Sequence, residues 1–283
     1  MEIAFTKMHG LGNDFIVIDD RSGEINSRIS YEELSKQLCA RHFGIGGDGI
    51  LIVLDSRTHD IKFRIFNADG SEAGMCGNGI RCFATYLMER GIVKNPVIHI
   101  ETRAGTIVTH VIEHDARGVA RVRVDMGAPC FEPEKIPFVS DAENVIEKKL
   151  QINGRDISVT ALSVGNPNAV IFVDNVSTVN VAEQGRAVEI HEKFPERTNV
   201  EFVEVLNPRE IKMRVWERGA GETMACGTGA CAAMAACCIT GRTDSEVVVQ
   251  LSGGDLDIQW DRTSNHIFKT GPAILVFEGG IKY

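Results

Sequence analysis

Two cysteines stand in the same setting at widely separated places in the chain. Cys76 lies in Glu72-Ala73-Gly74-Met75-Cys76-Gly77-Asn78-Gly79, and Cys226 in Glu222-Thr223-Met224-Ala225-Cys226-Gly227-Thr228-Gly229. Glu72 falls on Glu222, Cys76 on Cys226, Gly77 on Gly227 and Gly79 on Gly229, each pair 150 positions apart by residue number. Agreement at one rigid spacing marks an internal duplication. Each cysteine precedes an apolar run, Ile80 to Met88 in the first copy and an alanine-rich run in the second. That puts it in a glycine-rich turn at the start of a helix. Unpaired backbone N–H groups and the helix dipole favour an anion there. Both thiols are therefore expected to ionise more readily than a free cysteine. Packing by itself would not require Glu72 and Glu222 to recur with the whole turn, which turns the expectation toward chemistry.

A single reactive cysteine suggests a nucleophile, which needs a base and an oxyanion site. Two equivalent cysteines suggest proton transfer at carbon: a thiolate takes a proton from one face and a thiol returns one to the other, inverting a stereocentre. The α-proton of an amino acid is a very weak acid, so the transition state itself must be stabilised. Helix starts at Gly77-Asn78 and Gly227-Thr228 would hold an α-carboxylate where that charge develops, and closure around the substrate would exclude water. No pyridoxal-phosphate or nicotinamide pattern is present, so the expected chemistry is cofactor-independent. The eight cysteines contain no C-x-x-C pair, which leaves no zinc spacing and no expected metal.

The elements that must position these residues follow from local pattern. Ile3 to Lys7 and Ile16 to Asp19 read as strands around the loop His9-Gly10-Leu11-Gly12-Asn13-Asp14. Ser30 with Glu33 is a capping-box pattern opening a helix over Leu34 to Ala40. The run Phe43-Gly44-Ile45-Gly46-Gly47-Asp48-Gly49 is glycine-rich but lacks the G-K-[ST] ending of a phosphate loop, and it flows into an apolar strand, Ile50 to Leu54. Ile61-Lys62-Phe63-Arg64-Ile65 alternates as a half-buried strand and delivers the chain to Cys76. Further strands are expected at Val97 to Thr102, Thr106 to Ile112 and Val119 to Asp125, and a boundary at the Gly127-Ala128-Pro129 break. The second half retraces the first, with Gly165-Asn166 then Val170 to Asp174, Asn199 to Val203, Ile211 to Trp216, and after the second helix Val247 to Leu251, Leu256 to Trp260, Ile267 to Thr270 and Ile274 to Phe277. The expected fold class is α+β, two pseudo-symmetric similar domains from internal duplication, each a mixed sheet wrapped around a helix, with the active site in the cleft between them. The expected domains are 1–126 with a returning C-terminal strand at 271–283, and 127–270.

Composition narrows the partners. With 43% hydrophobic and 24% charged residues the chain is neither disordered nor a membrane span. A net charge of −9 and no basic cluster exclude a nucleic-acid or membrane-surface role. Met1-Glu2-Ile3-Ala4-Phe5 does not read as a signal peptide, and a cytoplasmic location is expected.

The motifs Lys7-Met8-His9-Gly10-Leu11-Gly12-Asn13-Asp14-Phe15, Asn67-Ala68-Asp69-Gly70-Ser71, Met75 to Arg81, Gly165-Asn166-Pro167, Thr198-Asn199-Val200 and Glu217 to Thr223 through Ala225 to Gly229 together resemble the diaminopimelate epimerase family over nearly the whole chain. The resemblance implies a pseudo-symmetric two-domain fold whose last strand returns to the first domain. It also implies cofactor-free interconversion of LL- and meso-diaminopimelate for lysine and peptidoglycan synthesis. Carried over, it makes Cys76 and Cys226 the acid/base pair. It assigns substrate contacts to Asn13, Asn67, Asn166, Asn199, Glu217 and Arg218, beside the helix starts Gly77, Asn78, Gly227 and Thr228, and a further tuning role to Glu217. Two positions depart from the family pattern: Asn168 stands where histidine is usual, and Gly49 where many members carry glutamine. Asn168 is then a tuning position that hydrogen-bonds without charge, and a related cofactor-independent racemase of another amino acid is the alternative. A catalytically idle binding protein for a diamino acid is a third reading, which solvent-deuterium exchange would separate from both. The expected partners are a small-molecule amino-acid substrate, no nucleic acid, no membrane, and a homodimer as a possible assembly.

Overall fold

The computed structural model describes residues 2–115 and 118–282. The chain forms two compact units, Met1–Val124 with Gly271–Tyr283, and Asp125–Thr270. The division falls between Val124 and Asp125, where the glycine-proline break placed it between Met126 and Gly127. The reason is that Met126 N–H and Gly127 C=O already bond Ile267.

In the first unit, alternation builds the sheet. Ile61, Phe63 and Ile65 turn to one buried face of β4 (Ile61–Asn67). β1 (Glu2–Gly10) pairs antiparallel with β2 (Asn13–Asp19), β2 parallel with β3 (Gly49–Leu54), and β3 antiparallel with β4. β4 pairs parallel with β6 (Val97–Thr102), which leads by antiparallel steps to β7 (Gly105–His114) and β8 (Val119–Asp125). The Ile274–Lys282 stretch of β17 (His266–Lys282) pairs with β1, and β17 also pairs with β8, so the ring closes. α2 (Gly77–Glu89) packs against β1, β2, β3 and β7, with every residue from Asn78 to Leu87 buried. A helix covered on all sides is the centre of a core rather than its lid.

The second unit repeats the order step for step. β10 (Arg155–Ser163), β11 (Pro167–Phe172), β12 (Asn199–Asn207), β13 (Glu210–Glu217), β15 (Glu246–Leu251), β16 (Gly254–Asp261) and the His266–Thr270 stretch of β17 are joined antiparallel, parallel, antiparallel, parallel, antiparallel and antiparallel. α4 (Gly227–Ile239) takes the place of α2 and has the same length, 13 residues. Its alanine-rich sequence carries no polar stripe, and it is buried from Gly229 to Cys237. The parallel joins, two in each unit, need crossovers. β2 crosses to β3 through α1 (Tyr31–Cys39), capped by Ser30 onto Glu33 N, and β11 to β12 through α3 (Val181–Glu189), capped by Asn180 onto Glu183 N, while α2 and α4 carry the chain from β4 to β6 and from β13 to β15.

The duplicated glutamates have a structural task. Arg64 Nε donates to Glu72 Oε1 at 2.7 Å and Nη2 to Oε2 at 3.1 Å, tying β4 to β5 (Glu72–Ala73). Arg214 Nε donates to Glu222 Oε1 at 2.8 Å in the equivalent place, tying β13 to β14 (Gly221–Thr223). Packing therefore does call for these glutamates, contrary to expectation: each ion pair fixes the strand that delivers a cysteine.

Three elements differ from expectation. Ile267 to Thr270 and Ile274 to Phe277 belong to one strand. Its Gly271-Pro272 step lies between the last partner on β16, Thr270, and the first on β1, Ile274, where neither pairing asks for the missing N–H. A hairpin of β9 (Val145–Ile152) with β10 turns at Asn153-Gly154, both at positive φ, the Asn-Gly signature of a two-residue turn. α3 is the third, a helix over Val181–Glu189 where no helix is expected. Among the described residues, no helix is long and apolar enough to cross a membrane.

The Arg64 hydrogen bond holds the Glu72 carboxyl below the ordinary carboxylate range. Its contribution is therefore present above that range and lost as pH falls through it. Glu72→Gln should cost about 1 kcal/mol at neutral pH. Urea unfolding of the two proteins should show the difference vanish in acid.

Candidate active site

Each cysteine is the N-cap of a central helix. Cys76 (φ −137°, ψ 120°) and Cys226 (φ −120°, ψ 116°) have the extended backbone of that position. Cys76 Sγ accepts from Gly79 N–H and Cys226 Sγ from Gly229 N–H, both at 3.4 Å. Sulfur thus occupies the place a serine oxygen usually fills. A Cβ on Gly79 would lie 3.4 Å from Cys76 Cβ, and one on Gly229 3.3 Å from Cys226 Cβ. Glycine lets the sulfur close on the helix.

In the first unit Asn13 and Asn78 converge on Cys76. Cys76 Sγ donates to Asn13 Oδ1 at 3.7 Å, and Asn78 Nδ2 donates to the same oxygen at 3.3 Å. Asn13 is oriented from behind by Asp48, whose Oδ2 accepts from Asn13 Nδ2 at 2.6 Å. Arg81, fully buried, donates from Nη1 to Gly77 O and to Asn78 Oδ1, both at 3.0 Å. A guanidinium thus sits beneath the first turn of α2. Asn67 is not drawn into this group: its amide bonds Ser71 Oγ at 2.9 Å across the following turn. Gly49 is fixed by close approach, since a Cβ there would stand 2.6 Å from Phe66 O. No glutamine fits that backbone unmoved.

In the second unit Asn166, Asn168, Asn199 and Arg218 form one chain. Asn168, fully buried, donates to Asn166 O at 2.6 Å and accepts from Asn199 Nδ2 at 3.2 Å. Asn199 Oδ1 accepts from Arg218 N–H at 2.9 Å. Asn168 therefore hydrogen-bonds without charge and holds two expected substrate contacts in register. Glu189 steadies the turn after Glu217, accepting from Gly219 N–H at 3.0 Å and from Trp216 Nε1 at 2.7 Å. Glu217 itself accepts from the Thr223 hydroxyl. Thr228 Oγ1 lies 3.5 Å from Cys226 Sγ, and Lys269, fully buried, packs against Gly227.

The expectation that both thiols ionise readily fails at Cys226. Burial pushes that thiol well above its ordinary value, and the Glu217 and Glu201 carboxylates push it further. The Thr228 and Gly229 hydrogen bonds work the other way and are outweighed. Glu201 was missed by the sequence reading. It is fully buried, with the backbone N–H groups of Glu201 and Ala169 giving its charge only partial relief. The signal was there, because position 201 is 150 beyond Leu51: the repeat sets an acid where its other copy has leucine. Asp48, Glu189 and Lys269 carry no such signal, since their partners are brought to them only by folding.

Burial also drives the Glu201 carboxyl upward, with Glu217 adding to it. A group that holds its proton longer in the fold favours the fold at low pH and loses that contribution as pH rises. Glu201→Leu should thus stabilise the protein by about 1 to 3 kcal/mol, with a gain in Tm that grows from acid to neutral pH in scanning calorimetry. Asn168→Ala should cost about 1 to 3 kcal/mol by the same measurement, because it strands buried amide groups of its neighbours.

The family model described as diaminopimelate epimerase matches residues 5–132 and 160–276. The diaminopimelate epimerase of Desulforapulum autotrophicum is 54% identical over 282 residues, covering 100% of both chains. That of Moorella thermoacetica is 49% identical over 275 residues, covering 97% of this chain and 98% of the relative. Among solved structures, a Bacillus anthracis phenazine biosynthesis protein of the PhzF family superposes with a TM-score of 0.71 at 18% identity, over 100% of both chains. A probable proline racemase from Agrobacterium radiobacter gives 0.70 at 18% identity over 99% of this chain and 92% of that one, a likeness of fold alone. The doubled α+β fold, the two cysteine-capped helices and full-length identity near one half agree: this chain belongs to the diaminopimelate epimerase family.

Proposed function

We propose that the chain interconverts LL- and meso-diaminopimelate by a two-thiol mechanism that needs no cofactor, supplying lysine and peptidoglycan precursors in the cytoplasm. The observation that carries the reading is the identical capping of α2 and α4 by Cys76 and Cys226. One sulfur, as thiolate, takes the α-proton; the other, as thiol, gives its proton to the opposite face of the same carbon. The C–H electron pair stays on the substrate between the two events, and each sulfur ends in the state the other began in, ready for the reverse reaction. Burial and two carboxylates oppose ionisation of Cys226, so the reading assigns it the acid of the first half-step.

The developing negative charge is delocalised onto the substrate's α-carboxylate, which Gly77-Asn78 and Gly227-Thr228 are proposed to hold through their backbone N–H groups. Arg81 under α2 adds positive potential at the first helix start, and in a buried setting such a charge is little screened, while Lys269 packs against Gly227 at the second. Asn13, Asn67, Asn166 and Asn199 are assigned polar contacts to the amino-acid ends. Arg218 is assigned the distal carboxylate, where a guanidinium fork binds both oxygens. Glu217 and Asn168 tune Cys226 and its neighbours. With Asn168 engaged in the asparagine chain, no observation favours a different amino acid as substrate.

Proton NMR in deuterated buffer without added cofactor should show α-deuterium entering both LL- and meso-diaminopimelate. Exchange with a single-centred amino acid and none with diaminopimelate would contradict the assignment. Cys76→Ala and Cys226→Ala should each lower turnover by ~10² to 10⁴-fold, with circular dichroism unchanged. Asp48→Ala, which releases the Asn13 amide, should lower kcat/KM by about tenfold while leaving Cys226 unaffected, since it removes one hydrogen bond to a charged group.

A further inference from the structure

Glu201 is a group the fold does not need. The equivalent position in the first unit is Leu51, whose Cδ2 would lie 3.2 Å from a Cβ on Gly79, just as Glu201 Oε1 would lie 2.8 Å from one on Gly229. Both side chains fill the same space under the first turn of a central helix, and leucine fills it without cost. A carboxyl there is fully enclosed, and burial opposes its charge more than the backbone N–H groups of Glu201 and Ala169 favour it. The same point beside Gly229 is 3.3 Å from Cys226 Cβ, so the carboxyl and the capping sulfur share one corner.

The other charged groups at that corner are Glu217, at the end of β13, and Lys269 of β17, which lies against Gly227. β11, packed on α4, has no ionisable residue, and Asp255, Asp257 and Asp261 of β16 alternate away from its buried face. Glu246 of β15 is exposed, and so are Arg155 and Asp156 of β10. Glu201 and Glu217 are therefore the carboxylates that bear on Cys226. A carboxyl is ordinarily a much stronger acid than a thiol, and negative charge on Glu201 disfavours negative charge on Cys226. A second negative charge on sulfur must then form against the first.

We propose that Glu201 is a positioning residue acting through Cys226: its buried charge keeps that sulfur protonated and makes the two capping cysteines unequal acids. The repeat supplies two identical caps, and Glu201 adds to burial and Glu217 in setting the second sulfur apart. The proposal rests on the reading of Cys226 as an acid/base group, yet its test needs no turnover.

Protein labelled with carbon-13 at cysteine Cβ, without substrate, reports each sulfur's ionisation by chemical shift, and the Cys226 resonance is assigned by its loss in Cys226→Ser. In Glu201→Gln, which keeps the size and removes the charge, and in Glu201→Leu, which copies Leu51, the Cys226 thiolate should appear at lower pH, with about tenfold more thiolate at a given pH in its titration range. A Cys226 titration unmoved in Glu201→Gln overturns the proposal, whatever Glu201→Leu does, because packing and not charge would then be the cause. Absence of deuterium exchange with diaminopimelate would instead defeat the proposed function and leave this result standing.

Discussion

A sulfur accepting a hydrogen bond from the third N–H of a buried helix is the interaction on which the molecule is arranged, and it is made twice. It requires a residue in extended backbone at the cap, and glycine three positions on so that nothing separates sulfur from amide. It also requires a helix whose start is fixed in the core. The sheets packed around the helices supply the last condition. α2 and α4 are covered along their length, so the N–H groups at their starts keep fixed directions. Preorganised dipoles of this kind stabilise charge without having to reorient during reaction.

The two copies then diverge by what surrounds the cap. Around Cys76 the neighbours are amides, Asn13 and Asn78, held by Asp48 and Arg81. Around Cys226 they are a hydroxyl and two carboxylates. Duplication made the caps alike, and substitution beside them made the sulfurs chemically different. A reaction that removes a proton on one side and restores one on the other gains from such a difference, because its resting state is then defined. Glu201 shows the cost: a fully buried acid in a place that leucine fills in the other copy.

Much of this was legible in the sequence. The constant spacing of Cys76 and Cys226 disclosed the duplication, and the apolar runs after them disclosed central helices. The asparagines at strand ends were visible as turn residues. What was not legible depended on contacts between distant positions. Arg64 with Glu72 and Arg214 with Glu222 could not be paired from sequence, so the glutamates looked functional when they brace strands. The ease of ionisation expected from a helix start was right about the dipole but took no account of burial, which dominates at Cys226. Asn168, noted as a departure, became intelligible only when β11 and β12 set it opposite Asn199.

The central claim is that two sulfurs divide the labour, each serving one face of the α-carbon. It is tested most directly by starting from a single stereoisomer of diaminopimelate in deuterated water and measuring isotope in both isomers at early conversion. A two-thiol enzyme delivers solvent deuterium to the product while the remaining substrate keeps its original hydrogen, because the sulfur facing the substrate returns the proton it took. Equal early labelling of substrate and product would mean that one exchangeable base serves both faces, and would contradict the account.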